Sequence, residues 1–258
     1  MKTCTLIPWP GGKSRLAPQL MELFDADHTT YVEPFAGAAA MLFLRPEPAK
    51  VEVLNDINGE LVNLYRVVKH HLDEFVRQFR WQLVAREEFE RLRASAPTTL
   101  TDIQRAARFF FLQKTSFGAK VSGQTFGADA GSPPRINLLR LEEDLSAAHL
   151  RLARVTIEHL PWDACVARYD RPGTFFFCDP PYWQTEGYGV PFGLDQYQAL
   201  AQALRNLKGR ALLTINDHPD MRAVFAGFRQ RRLTTRYTIG RSAATKKAPR
   251  HELAVMNW

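Results

Sequence analysis

A chain of 258 residues, 45% of them hydrophobic, can bury one large core or one domain with an insertion, and its net charge of +7 suits a polyanionic partner. No run approaches the roughly 20 apolar residues of a membrane span, and the opening Met1–Pro8 is too short for a signal peptide, so a cytoplasmic protein with no membrane partner is expected. Three cysteines without paired spacing (Cys4, Cys165, Cys178) argue against a disulfide framework or a zinc site, and no metal is expected.

Near the start stand Trp9, Pro10, Gly11, Gly12, Lys13 and Ser14. The two glycines allow close backbone approach, and Ser14 is expected to cap a helix carrying Leu16, Leu20, Leu23 and Phe24 on its apolar side. Lys13 then lies near a helix N-terminus and, with Trp9, suits a ligand with an anionic group and an aromatic part. A nucleotide-triphosphatase loop is excluded, because Ile7 stands where its first glycine belongs and no long strand precedes it.

Tyr31 to Phe43 has the form of a short strand, a small-residue turn (Pro34, Phe35, Ala36, Gly37) and an apolar helix. Lys50 to Asp56 alternates like a half-buried second strand and ends on an acid, nineteen residues after Gly37. In nucleotide-binding α/β folds an acid at about that distance holds the ribose hydroxyls. Ala39 and Leu42 stand where a dinucleotide site needs glycines, so a nucleoside-bearing cofactor without a pyrophosphate fits better than NAD.

From Asn58 to about Gln113 the apolar spacing is helical, with helices predicted at Arg86 to Ala94 and Thr101 to Gln113, the latter capped at Thr101 or Asp102. Lys114 to Gly127 breaks that pattern. Glycines, hydroxyls, Phe117, Phe126, Lys114, Lys120 and Gln124 interleave there, the makeup of a ribbon that lies against nucleic acid and equally of an ordinary glycine-rich hairpin. Asn137 to Arg151 is predicted helical and Arg154 to Glu158 extended, with Asp163 capping a short helix after them.

Phe175 to Cys178 is a continuous apolar run, bounded by Pro172-Gly173 before and Pro180-Pro181 after, and is predicted to be a buried strand. Two prolines force the chain to leave the sheet stiffly, holding Asp179, the Pro180 carbonyl and Tyr182 at the strand's carboxyl end, where open α/β sheets bind ligands. A carboxylate and a carbonyl each accept one hydrogen of an amino group, and Tyr182 offers a stacking face, which suits a planar base with an exocyclic amine. A strand followed by a proline turn with a solvated acid is the alternative. Trp183 to Gly193 then has the makeup of a ligand-covering loop.

Helices are predicted at Leu194 to Leu207 and His218 to Phe228, and strands at Ala211 to Ile215, Leu233 to Ile239 and Glu252 to Asn257. Eight basic residues and no acid lie between Arg229 and Arg250, so the positive excess is gathered there, with Arg241, Lys246, Lys247 and Arg250 in a predicted loop. Strands alternating with helices on both sides of a helical insertion predict an α/β fold with a mostly parallel sheet.

With Pro10 to Lys13 first, Pro34 to Gly37 next and Asp179 to Tyr182 after an insertion, most of the chain resembles the Dam-type DNA adenine-N6 methyltransferases, the D12 class in the alpha arrangement. The resemblance implies a Rossmann-like core that uses S-adenosylmethionine, divided between residues 1–57 and 138–258, with a target-recognition domain at 58–137. It implies an S-adenosylmethionine pocket of Trp9, Lys13, Pro34, Phe35, Ala36, Gly37, Asp56, Ile57 and Asp179. Asp179, Pro180, Pro181 and Tyr182 are implied to be catalytic, acting on an adenine flipped out of double-stranded DNA. Lys114, Phe117, Lys120 and Gln124 fall where the family has a hairpin in the major groove, and a monomer is expected. The chain departs from the family at Ala39, where a second glycine is usual, and at Lys114 and Gly118-Ala119, where the family usually has Arg and Asn-Gly. Cytosine-N4 transfer, a DNA-binding protein with an inactive core, and an NAD-dependent oxidoreductase are the rival readings.

Overall fold

The structure is a computed structural model that describes residues 5–24, 27–127, 136–185, 189, 191–236 and 249–258. Its strands are β1 (Thr30–Glu33), β2 (Val51–Asn55), β3 (Val155–Glu158), β4 (Thr174–Cys178), β5 (Arg210–Asn216), β6 (Arg229–Arg236) and β7 (Pro249–Met256). They form one sheet in the order β3-β2-β1-β4-β5-β7-β6. Pairing is parallel from β3 through β5, and β7 runs antiparallel to both β5 and β6. This is the mostly parallel α/β sheet expected of a Rossmann-like methyltransferase core.

β4 is buried along its whole length because both faces of the sheet are covered there. Phe175 and Phe177 enter the core on one face, and Phe176 and Cys178 enter the core on the other. The first face is packed by α1 (Ala17–Met21), α2 (Ala40–Leu44), α3 (Gly59–His70), α4 (Leu72–Arg77), α5 (Arg86–Ala94), α6 (Asp102–Thr115) and α7 (Leu141–Leu152). Its apolar cluster runs without a break from Phe175 to Phe75, Phe110 and Phe89 in the helical block. The second face is packed by α8 (Trp162–Tyr169), α9 (Leu194–Asn206) and α10 (Pro219–Val224).

Local signals set most boundaries. Thr101 and Gln104 form a reciprocal capping box at the start of α6, and the Asn58 side chain accepts from the Glu60 and Leu61 amides at the start of α3. Several expectations need correction. Ser14 caps nothing: residues 13–15 form a 3₁₀ turn, and α1 starts only with Pro18 in its first turn. Pro161 occupies the cap position of α8, so Asp163 sits inside the first turn, where its charge faces the positive end of the helix dipole. α7 begins at Leu141 because Asn137 turns the chain first, its side chain accepting from the Leu139 amide. α10 stops at Val224, shortly before Gly227 at φ 89°. Arg229, Arg231, Arg232 and Arg236 belong to strand β6, and Arg250 lies in β7 opposite Thr235, in a strand where a loop was expected.

The position of β1 decides where a ligand can sit. It lies between β2 on one side and β4 on the other, so the connections leaving β1 and β4 diverge and open a crevice beyond their carboxyl ends. The glycine turn follows β1 and the Asp179 tetrapeptide follows β4, which brings two distant motifs to one crevice.

Candidate active site

One wall of the crevice is the turn after β1. Gly37 has φ 48°, and its amide donates to Asp56 Oδ2 at 2.9 Å, while its carbonyl accepts from the Tyr65 hydroxyl at 2.6 Å. A Cβ at position 37 would lie 2.7 Å from the Trp9 indole, so only glycine lets Trp9 approach this closely. Asp56 Oδ1 accepts from the Asn58 amide, so the acid ties the turn after β1 to the segment leaving β2. Ala39 is in the left-handed region, at φ 50° and ψ 40°, as the cap residue of α2. The chain therefore keeps the backbone shape that a second glycine would adopt freely, at a cost of about 1–2 kcal/mol for an L-residue.

The opposite wall follows β4. Asp179 accepts from the Thr214 hydroxyl at 2.8 Å through Oδ1 and pairs through Oδ2 with the Lys13 ammonium at 2.6 Å. Lys13, only 2% exposed, also donates to the Gly11 carbonyl at 2.6 Å and lies 4.7 Å from the centroid of the Tyr182 ring. The Tyr182 hydroxyl donates to Glu252, and the Tyr197 hydroxyl donates to the Pro181 carbonyl. Pro180 is buried. The stiff corner predicted from the two prolines is thus held by side chains from four other elements.

Between these walls lies a cavity of about 730 Å³. Trp9, Phe35, Ile57 and Trp162 give it apolar sides, with Phe35 and Trp162 stacked at 6.2 Å, and Lys13, Asp56 and Asp179 give it polar corners. Flat apolar sides, an acid braced by the turn and a buried cation fit a nucleoside-bearing cofactor with a charged tail. Burial raises the Asp179 carboxyl above its ordinary range against the opposing pull of Lys13, and raises Asp56 against the amides of Asn58 and Gly37. Glu33, 1% exposed at the end of β1, is pushed by burial to about 8, although its Oε1 accepts from the Tyr31 hydroxyl and the Leu42 amide. Cys178 is fully buried and its thiol is pushed up by burial, so it is no nucleophile. Among the described residues, no group of His, Cys, Asp and Glu is arranged to hold a metal ion.

Residues 9–239 match the family of D12 class N6 adenine-specific DNA methyltransferases. The chain belongs to this family. Relatives include the Type II methyltransferase M.CviBI of Paramecium bursaria Chlorella virus NC1A, 25% identical over 86% of each chain. The retron Ec67 DNA adenine methylase of Escherichia coli is 25% identical over 97% of this chain and 90% of its own. The DNA adenine methylase of Haemophilus influenzae is 23% identical over 99% and 94%. The D12 protein is therefore an adenine-specific DNA methyltransferase, which sets aside the cytosine and oxidoreductase readings.

In this D12 enzyme Trp9, Lys13, Pro34 to Gly37, Asp56, Ile57, Asp179 and Pro181 all line the one cavity, while Tyr182 is held beside Lys13. The expected recognition hairpin is closed by a bridge between Ser116 and Phe126 and by the Phe117 amide on the Thr125 carbonyl at 2.8 Å. Phe117, 47% exposed, and Lys120 are presented to solvent. Gln124 is not: its amide donates to Gln113 at 2.5 Å, and Gln113 in turn bonds the Pro8 and Ala119 carbonyls. Lys114 is half-buried, its ammonium 5.3 Å from the Phe110 ring. Arg241, Lys246 and Lys247 lie outside the described residues. Sequence reasoning missed Glu33, Tyr65, Thr214 and Glu252. An acid directly before Pro34 at the end of a buried strand was a legible signal for Glu33; nothing local marks the other three.

Proposed function

We propose that this methyltransferase binds S-adenosylmethionine in the cavity at the β1/β4 crevice and methylates N6 of an adenine flipped out of double-stranded DNA. The observation that carries the reading is the meeting of the Gly37 turn, Asp56 and Asp179 in one cavity from three separate strand ends. Trp9, Phe35 and Ile57 would sandwich the cofactor's adenine, Asp56 would accept from its ribose hydroxyls, and Lys13 would meet its carboxylate. The bound cofactor supplies a methyl group on a sulfonium.

The protein's own task is alignment. Adenine N6 is a poor nucleophile because its lone pair delocalises into the ring. Asp179 and the Pro180 carbonyl accept the two N6 hydrogens, which draws the nitrogen towards tetrahedral character and aims its lone pair into the cavity. Asp179 receives the proton that N6 gives up once the new bond has formed, and its raised carboxyl range suits that role. Tyr182 stacks on the extruded base.

We further propose that residues 58–137 act as the recognition insertion, with Phe117 and Lys120 meeting the target. Arg241, Lys246, Lys247 and Arg250 supply sequence-independent phosphate contacts. The protein acts as a monomer in the cytoplasm. The direct test incubates purified protein with unmethylated DNA and methyl-labelled S-adenosylmethionine, then separates the nucleosides. Label in N6-methyldeoxyadenosine supports the reading, and label elsewhere or nowhere contradicts it.

A further inference from the structure

Glu252 is an acid in the interior with no assigned task. It is 2% exposed and sits on β7 opposite Asn216 of β5. A carboxylate at such depth is costly unless it is paired and hydrogen-bonded. Its Oε2 accepts the Tyr182 hydroxyl and lies 3.9 Å from the Lys13 ammonium, which is itself 2.6 Å from Asp179. Its partner across the strand pair does a parallel job. Asn216 accepts from the Trp183 amide at 2.9 Å and donates to the Trp183 carbonyl at 3.1 Å. The cross-strand pair Asn216–Glu252 thus grips two consecutive residues at the end of the tetrapeptide.

We propose that Glu252 is a positioning residue for methyl transfer: it fixes the Tyr182 ring through its hydroxyl and shares Lys13 with Asp179. This inference rests on the function proposed above. A phenol held at its far end cannot tilt freely about its side-chain bonds, so the plane on which the flipped base stacks is set before DNA arrives. Lys13 lies between two acids and over the same ring, so moving one member moves the others. The consequence falls on alignment, where a displacement of about 1 Å costs up to about a hundredfold in rate. The titratable groups facing Asp179 are Lys13 from the 3₁₀ turn, Glu33 from β1 and Glu252 from β7, with the Thr214 hydroxyl from β5. Removing the negative charge of Glu252 lowers the Asp179 range, because Glu252 is one of the groups that raise it.

The test compares wild type, Glu252→Gln, Tyr182→Phe and the double variant on DNA from a methylation-free host, measuring kcat, both KM values, the pH–rate profile and thermal melting. Glu252→Gln keeps shape and an acceptor for the hydroxyl but drops the charge. It is expected to lower kcat about tenfold and to move the acid limb of the profile to lower pH. Tyr182→Phe keeps the stacking ring and severs the same contact, with a similar loss expected. The double variant should be no worse than the poorer single one, since both changes break one interaction. Multiplying losses, or wild-type kcat and pH profile in Glu252→Gln, overturn the assignment. If Glu252→Gln melts below the assay temperature, Tyr182→Phe alone decides, and wild-type kcat there overturns it. An inactive wild type overturns the proposed function itself, and the assignment with it.

Discussion

Glu33 shows how one side chain ties stability to pH. Its ordinary value is 4.5 and burial pushes it to about 8, so between those limits the folded state holds a proton that the unfolded chain has released. Stability therefore falls as pH rises through that window, by about 1.4 kcal/mol per pH unit for a single proton. Glu33→Gln keeps an acceptor for Tyr31 and Leu42 without the titration. Its urea midpoint is expected to lose less between pH 5 and pH 8 than the wild type's, and parallel curves for the two would contradict the burial argument. Ala39 offers a second test. Its left-handed backbone tolerates a methyl group but not a β-branched side chain, and the site is fully buried. Ala39→Val is expected to destabilise by about 2 kcal/mol or more, whereas Ala39→Gly should stay within about 1 kcal/mol of wild type in chemical denaturation.

Among the elements, the 116–126 hairpin joins the proposed recognition surface to the proposed cofactor cavity. Phe117 is presented at its surface, while Gln124 reaches inward to Gln113, which holds the Pro8 carbonyl next to Trp9. Phe117→Ala is therefore expected to weaken DNA binding about tenfold in titrations while leaving S-adenosylmethionine affinity unchanged. Equal DNA affinity would remove the hairpin from the interface. Gln124 also marks where sequence reading stopped. A run of mixed polar and glycine residues announces a ribbon, but which polar groups turn inward depends on α6 beneath it. β4 was legible because a strand covered on both faces is apolar throughout, and α6 because its apolar spacing is helical and follows a capping residue, Thr101 or Asp102. Asp56 was legible from its spacing to Gly37. Glu252 was not, because its partner Tyr182 lies 70 residues earlier, and the pairing of β7 between β5 and β6 leaves no local mark. Ala39 was legible only as a missing glycine; the retained turn geometry emerged from the fold.

At the scale of the molecule, one sheet places the Gly37 turn and the Asp179 tetrapeptide side by side, and the positive excess of the sequence gathers between Arg229 and Arg250. The proposed phosphate contacts of Lys246 and Lys247 predict that neutralising both weakens binding alike for all sequences and lowers the salt slope by about 2. A changed sequence preference would instead make them readers of bases. The central claim is that Asp179, at the β1/β4 crevice, directs methyl transfer to adenine N6 in DNA. Its most direct test is to express the protein in a methylation-free bacterial host and sequence that host's DNA with a method that detects modified bases. N6-methyladenine in a recurring word with wild type, and its loss with Asp179→Ala, is the predicted result. Undiminished N6-methyladenine in the Asp179→Ala strain, or none with wild type, would contradict the account.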